Sequence, residues 1–238
     1  MDTKAAEELL NDYLMNGIVT EIFWADQAKA AAVLIGDHSV SINAEGFGEV
    51  FGHLQSILSE RETMAVAKMY DPPDKRFPTR SIPAMLRLIE QYAGLWSLPQ
   101  RHMLEHLMID EGSDPSFVRG MSNQQIASDV AYHFNQTFPQ KGKAGSCKLS
   151  AALEAVREAR NKVLAHNEAI DKAARTLATW GDTKSLVDYA KDFACVIGFG
   201  FLGVYLGHGH VDYMLGHDAR RFAFNLSQLL DRAQLKKQ

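Results

Sequence analysis

Apolar residues recur at three- and four-residue spacing through nearly every long segment of this chain, and no stretch sustains a strict apolar–polar alternation. That repeat belongs to helices that bury one face, whereas half-buried strands would carry a two-residue repeat. With 238 residues, 46% of them hydrophobic, the chain can bury a real core without disulfides or a structural metal. The expected fold class is all-α: an antiparallel bundle of about seven or eight helices joined by short loops. We read 1–238 as a single domain, with helices in 1–140 followed by a second group in 146–235.

The first helix is expected from Thr3 to Ile35, with Leu9, Leu10, Tyr13, Leu14, Ile18, Ile22 and Phe23 on its inner side. "GDHSVSINAEGFG" breaks the pattern, and its "SVSIN" suits a short extended piece. A helix over Glu49–Met69 must stop at "DPPDKRFPTR", because consecutive prolines forbid continuation. Ser81 then suits an N-cap, with Pro83 tolerated in the first turn. Shorter helices follow in "SLPQRHMLEHLM" and "MSNQQIASDVAYHFNQTF". "PQKGKAGSCK" reads as the most linker-like stretch, and the remaining helices are expected near Ser146–Leu177, Ser185–Leu206 and Asp218–Gln234.

Several classes are disfavoured early. The formal net charge of -4 argues against a protein that coats nucleic acid by bulk electrostatics, though not against a local basic site. Cys147 and Cys195 lie far apart, outside any C-x-x-C spacing, and suit a reducing cytoplasmic setting. The N-terminal "MDTKAAEELL" lacks the order of a signal peptide. The apolar run "FACVIGFGFLGVYLG" is too short to span a bilayer without Asp188, Lys191 and Asp192. It reads instead as a central core helix, whose Gly198, Gly200 and Gly203 permit a neighbouring helix to approach closely. No P-loop, G-x-G-x-x-G, H-E-x-x-H or G-x-S-x-G occurs, and no cofactor is expected.

The segment "REARNKVLAHNEA" interrupts an otherwise apolar stripe. At about 100° per residue, Leu149, Leu153, Val156, Val163, Ile170, Ala174 and Leu177 share one helix face. Arg160 falls between Val156 and Val163 on that face, and His166 lies on its flank. Burying an arginine without a partner is expensive, so the fold must supply a carboxylate, a wet crevice or an anionic ligand. One reading pairs Arg160 with a buried carboxylate and His166 with a backbone carbonyl. The other makes both part of a site.

"RNKVLAH", Arg160 to His166, resembles the signature of the HEPN superfamily (higher eukaryote and prokaryote nucleotide-binding). The flanking "YDPPDKRFPTRSIPAMLRLIE" is similar to the AbiU-type abortive-infection branch. The resemblance implies an HEPN-like helical core in the C-terminal half and a metal-independent ribonuclease or toxin of phage defence, with RNA as substrate. It further implies dimerisation at the motif and a possible antitoxin partner. Arg160 would hold phosphate oxygens, His166 would move a proton, and Asn161 would orient one of them. Within one ideal helix Arg160 and His166 are about 120° apart around the axis and roughly 9 Å apart along it. A two-fold dimer would bring Arg160 of one copy to His166 of the other. Lys141, Lys143, Lys148, Arg157 and Lys162 add a local positive bias, of which Lys143, Lys148, Arg157 and Lys162 are the candidate RNA contacts, each also readable as ordinary solvated surface. Some HEPN toxins carry a modifiable tyrosine two positions after the histidine, where this chain has Glu168.

Two rival features stand beside the motif. "RHMLEH", Arg101 to His106, satisfies the same loose pattern but lacks the Asn-Lys start and Ala-His end, and reads as a solvated helix flank. "GHGHVDYMLGHD" offers His208, His210, Asp212, His217 and Asp218, whose spacing fits no common zinc pattern and which reads first as a solvated loop. No metal is therefore expected. A catalytically silent HEPN dimer that binds RNA or a partner protein, and a metal-dependent enzyme using the histidine loop, remain the alternatives.

Overall fold

The computed structural model describes residues 2–74, 76, 78–140, 147–161, 178–207 and 215–235. Among them every regular element is helical. The N-terminal rod is continuous: α1 (Thr3–Tyr13) passes through a π-helical segment, Leu14–Val19, into α2 (Thr20–Asp37). Asp2 caps the start, its carboxylate accepting the Ala5 amide at 2.8 Å. At Gly17 the rod touches the Arg80 backbone so closely that an added Cβ would stand 2.4 Å from the Arg80 Cβ. Only glycine permits that approach.

The expected extended piece at "SVSIN" is instead a short helix, α3 (Ser39–Ala44). Among the described residues no strand lies beside it to receive its backbone groups, and they bond locally, Ile42 to the His38 carbonyl and Glu45 to that of Ser41, both at 3.0 Å. Helical geometry also turns Ile42 into a small cluster with Ile35, Leu230 and Leu235. α4 (Gly48–Met69) runs back along α2 and ends at Tyr70, just before the double proline. Ser81 caps α5 (Ile82–Gln91) by accepting the Ala84 amide, as its position suggested.

α6 (Arg101–Asp110), the short α7 (Pro115–Gly120) and α8 (Asn123–Thr137) form the next group. α9 (Cys147–Glu158) leads to α10 (Trp180–Leu202). That helix begins before the expected Ser185, because Thr179 and Asp182 build a capping box. It ends before the expected Leu206, where Gly203 takes the left-handed conformation at φ 68°. α11 (His217–Arg232) closes the described chain against α2.

α10 is the central element, packing against α1, α2, α4, α6 and α9. Leu186, Ala190, Phe193, Ala194, Ile197 and Phe201 on it are fully buried. A Cβ at Gly200 would lie 2.5 Å from a Leu104 methyl, so this glycine does admit α6. One hydrophobic core takes residues from Ala6 through Leu215. Among the described residues no helix is long and apolar enough to cross a membrane.

Candidate functional site

Two helix ends meet here, the C-terminal end of α4 and that of α9. α9 buries Ala152, Leu153 and Val156 against α4 and α10, following the apolar stripe as far as the described residues extend. After Glu158 the helix widens into a π-helical turn over Ala159, Arg160 and Asn161. Turns of this kind recur where a side chain must be redirected from the α-helical row. Arg157 and Arg160 both leave α9 toward α4.

α4 meets them with consecutive residues of opposite character. Tyr70 is wholly buried, its ring 5.7 Å from Phe138 and 6.3 Å from Tyr189 between centroids. Its hydroxyl donates to the Leu186 carbonyl at 2.6 Å, and burial pushes the phenol well above its ordinary value. Its own carbonyl, at the helix end where the dipole favours cations, accepts from Arg157 Nη2 at 3.0 Å. Asp71, next in the chain, extends its carboxylate to Arg160 Nη1 in an ion pair. The Ser81 hydroxyl donates to the Asp71 carbonyl at 2.7 Å, fixing the turn.

Arg160 Nε donates to the Asn161 side-chain oxygen at 3.0 Å. Among the described residues its Nη2 has no partner. Arg160 and Asp71 side chains are 22% and 27% exposed, so the pair lies at the surface rather than in a dry interior. The expected buried carboxylate is thus Asp71, but it is not buried. Arg157 is half-buried, and its value is lowered first by desolvation and then by the Arg160 charge. The Arg160 charge opposes that of Arg157, while the carboxylates of Asp71 and Glu154 favour it. Chemically, the arrangement is a notch of two guanidiniums, partly compensated, whose fork direction is fixed by a carboxylate from the loop after α4.

Of the residues singled out by sequence, Arg157, Arg160 and Asn161 come together here, while Lys148 is exposed near the start of α9. Lys141, Lys143, Lys162, His166 and Glu168 lie outside the described residues. Tyr70 and Asp71 were missed, having been assigned only to a helix end and a loop. The available signal was the demand for a carboxylate opposite Arg160, with an aspartate standing at a proline-enforced helix stop.

The second arginine–histidine segment is built differently. Arg101 gives Nε to Glu105 at 2.6 Å, Nη1 to Asn123 at 2.8 Å and Nη2 to the Met121 carbonyl at 2.6 Å. Nε stays within α6, while Nη1 and Nη2 join that helix to the residues at the start of α8. The flank is therefore not simply solvated: its arginine is an internal tie. In the histidine loop, His217 Nδ1 lies 3.7 Å from Asp218 Oδ1 at the start of α11, and His208, His210 and Asp212 lie outside the described residues. Among the described residues no cluster of three potential ligands could hold a metal ion.

Comparison with known proteins supplies a family model, AbiU2 of the HEPN group, that matches residues 14–222. No curated protein and no solved structure matches the chain.

Proposed function

This chain belongs to the AbiU2 family of HEPN proteins, an abortive-infection group, and from that premise we propose that it is a metal-independent endoribonuclease acting at the Arg160 notch. The observation that carries the reading is Arg160 itself, aimed by Asp71 and flanked by Arg157 at the surface. A guanidinium fork stabilises two phosphate oxygens as charge builds on them, without a cation. His166 takes the ribose 2′-OH proton as that oxygen attacks the adjacent phosphorus, the P–O5′ bond breaks, and the imidazolium so formed returns the proton to the departing 5′-oxygen. The product is a 2′,3′-cyclic phosphate or its 3′-phosphate hydrolysis product. Two copies joined across the motif helix place Arg160 of one with His166 of the other, making the active species a homodimer. Lys143, Lys148 and Lys162 guide the RNA strand, and an antitoxin is the partner expected to restrain it.

The experiment is cleavage of RNA by the purified chain with and without EDTA, alongside Arg160→Ala and His166→Ala and with mass spectrometry of the product ends. Cleavage should persist in chelator, spare an all-deoxy strand and disappear in both variants. A metal-dependent 5′-phosphate product would overturn the reading and turn attention to the His208, His210 and His217 loop. Light scattering supplies a second check, since a monomer at micromolar concentration removes the composite site. One observation favours a second reading: Asp71 occupies part of the fork that phosphate would use. A dimer that binds RNA or a partner protein without turnover follows if RNA is retained but never cut.

A further inference from the structure

α11 turns a narrow side to the protein, with Ala219 and Leu230 buried and α2 its neighbour. At about 100° per residue, Arg221, Asn225, Gln228 and Arg232 fall within about 60° of one another on the side away from those two, and all four are exposed. They form a polar stripe. A lone exposed ring on a surface needs no explanation, but here large apolar side chains edge the stripe on both sides. Phe224, 61% exposed, borders it on one side, and Phe222 and Leu229, 40% and 62% exposed, on the other.

The chemistry of the stripe chooses the occupant. Three arginines against two aspartates give the helix a positive balance in a chain of formal net charge -4. Asp218, at its start, lies 3.7 Å from His217 Nδ1, and Asp231 lies on the phenylalanine's flank, off the line from Arg221 to Arg232. Arg221 and Arg232 stand roughly 16 Å apart along the axis, so one extended strand can lay phosphates against both. Between them the amides of Asn225 and Gln228 can donate to and accept from base edges. The Phe224 ring offers a stacking face, open to a base in a single strand and closed to one paired within a duplex. A lipid surface would take the rings and the arginines but leave the amides between them without a role. We propose that the outward face of α11 is a second contact for single-stranded RNA, with Phe224 stacked on a base and Arg221 and Arg232 on phosphates either side. The inference rests on the reading of RNA as this protein's ligand, not on cleavage.

The test is fluorescence anisotropy of the full chain with a short labelled single strand of mixed sequence, 2′-O-methylated throughout so that the proposed cleavage cannot consume it. Phe224→Ala should weaken binding at least about fivefold, the loss of one stacked base, without altering the salt dependence, and Phe224→Trp should restore it. Arg221→Gln with Arg232→Gln should instead flatten the slope of log K against log salt by about 1.4, the counterions of two phosphates. Both losses should recur in an Arg160→Ala background, because α11 supplies no residue to the notch, and binding of a fully paired duplex should not respond to Phe224→Ala. Binding of the single strand that ignores both sets of changes, or a parent chain that fails to saturate below roughly 1 mM, would overturn the proposal. So would losses seen only with phosphatidylglycerol vesicles, which would make α11 a membrane surface. RNA held through Phe224 but never cut removes the ribonuclease reading and leaves this one standing; RNA cut, with binding blind to Phe224, removes this one alone.

Discussion

Arg160 and Arg101 each begin an arginine-to-histidine segment, and their side chains are similarly exposed, at 22% and 30%. What separates them is the set of partners. Arg101 is bonded at every guanidinium nitrogen, to its own helix and to residues leading into the next. Arg160 is held by Asn161 beside it and by one carboxylate from Asp71, with a second arginine close by. An arginine engaged at all three nitrogens ties elements together, and its guanidinium is committed to the fold. One that, among the described residues, is held along part of its edge keeps donors for an anion. Matching patterns of residue types therefore say little until the partners across the fold are known.

The strongest way to break the comparison is to remove each arginine in turn. Arg160→Ala should lower RNA cleavage at least about 100-fold, as loss of a preorganised charge donor does, while the thermal midpoint stays close to that of the parent. Arg101→Ala should do the reverse, keeping most cleavage and losing about 1–3 kcal/mol of stability, because Glu105, Asn123 and the Met121 carbonyl lose their partner. Cleavage lost only in Arg101→Ala would move the site to α6.

Asp71→Asn sharpens the same contrast on the carboxylate side. It keeps an acceptor for Arg160 but removes the charge, and should lower turnover by about tenfold through looser aim, with little change in RNA affinity. Faster cleavage would instead show that Asp71 competes with phosphate for the fork. Tyr70→Phe comes next: it deletes the hydroxyl bonded to the Leu186 carbonyl and should cost about 1–2 kcal/mol in chemical denaturation.

The smallest effect tests a region where charge is held without any proposed ligand. Glu62 is buried, with Thr183 Oγ1 donating to it at 2.6 Å, and burial raises its carboxyl above the ordinary range. The folded state therefore keeps a proton that the unfolded chain gives up near its ordinary value of 4.5. Glu62 is fully tolerated below that pH, and its contribution turns unfavourable as pH rises through the window up to the folded value. Relative to the parent, Glu62→Gln should gain stability as pH climbs from about 4.5, read by thermal unfolding across a pH series. A constant difference would place the titration elsewhere.

Much of the helical plan was legible because local chemistry set it: the prolines after Tyr70, the Ser81 cap, and the three-and-four spacing that puts Leu153 and Val156 inside. "SVSIN" was misread because its β-branched residues suit a strand, while tertiary packing of Ile42 and the lack of a neighbouring strand favoured helix. The start of α10 was misread because Thr179 and Asp182 cap it from a stretch resembling a turn. Arg160 was legible as a polar intrusion on an apolar face. Its partner was legible only as a demand for some carboxylate, since Asp71 is distant in sequence and its place at a proline-enforced helix stop does not say which arginine it meets. The angular estimate between Arg160 and His166 also assumed an ideal helix, whereas residues 159–161 form a π-helical turn.

Tyr70 and Asp71 share a peptide bond, yet one is packed among aromatic rings and the other holds the surface arginine. A mutational screen scoring only loss of the proposed RNA cleavage would therefore collect changes at Phe138 and Tyr189, outside the proposed Arg160 site. Reducing either ring lets Tyr70 settle differently, and the aspartate travels with it. Such alleles would be stable enough to accumulate and would be recovered by second changes that refill the same apolar space, a suppression pattern that distinguishes a misaimed charge from a missing one.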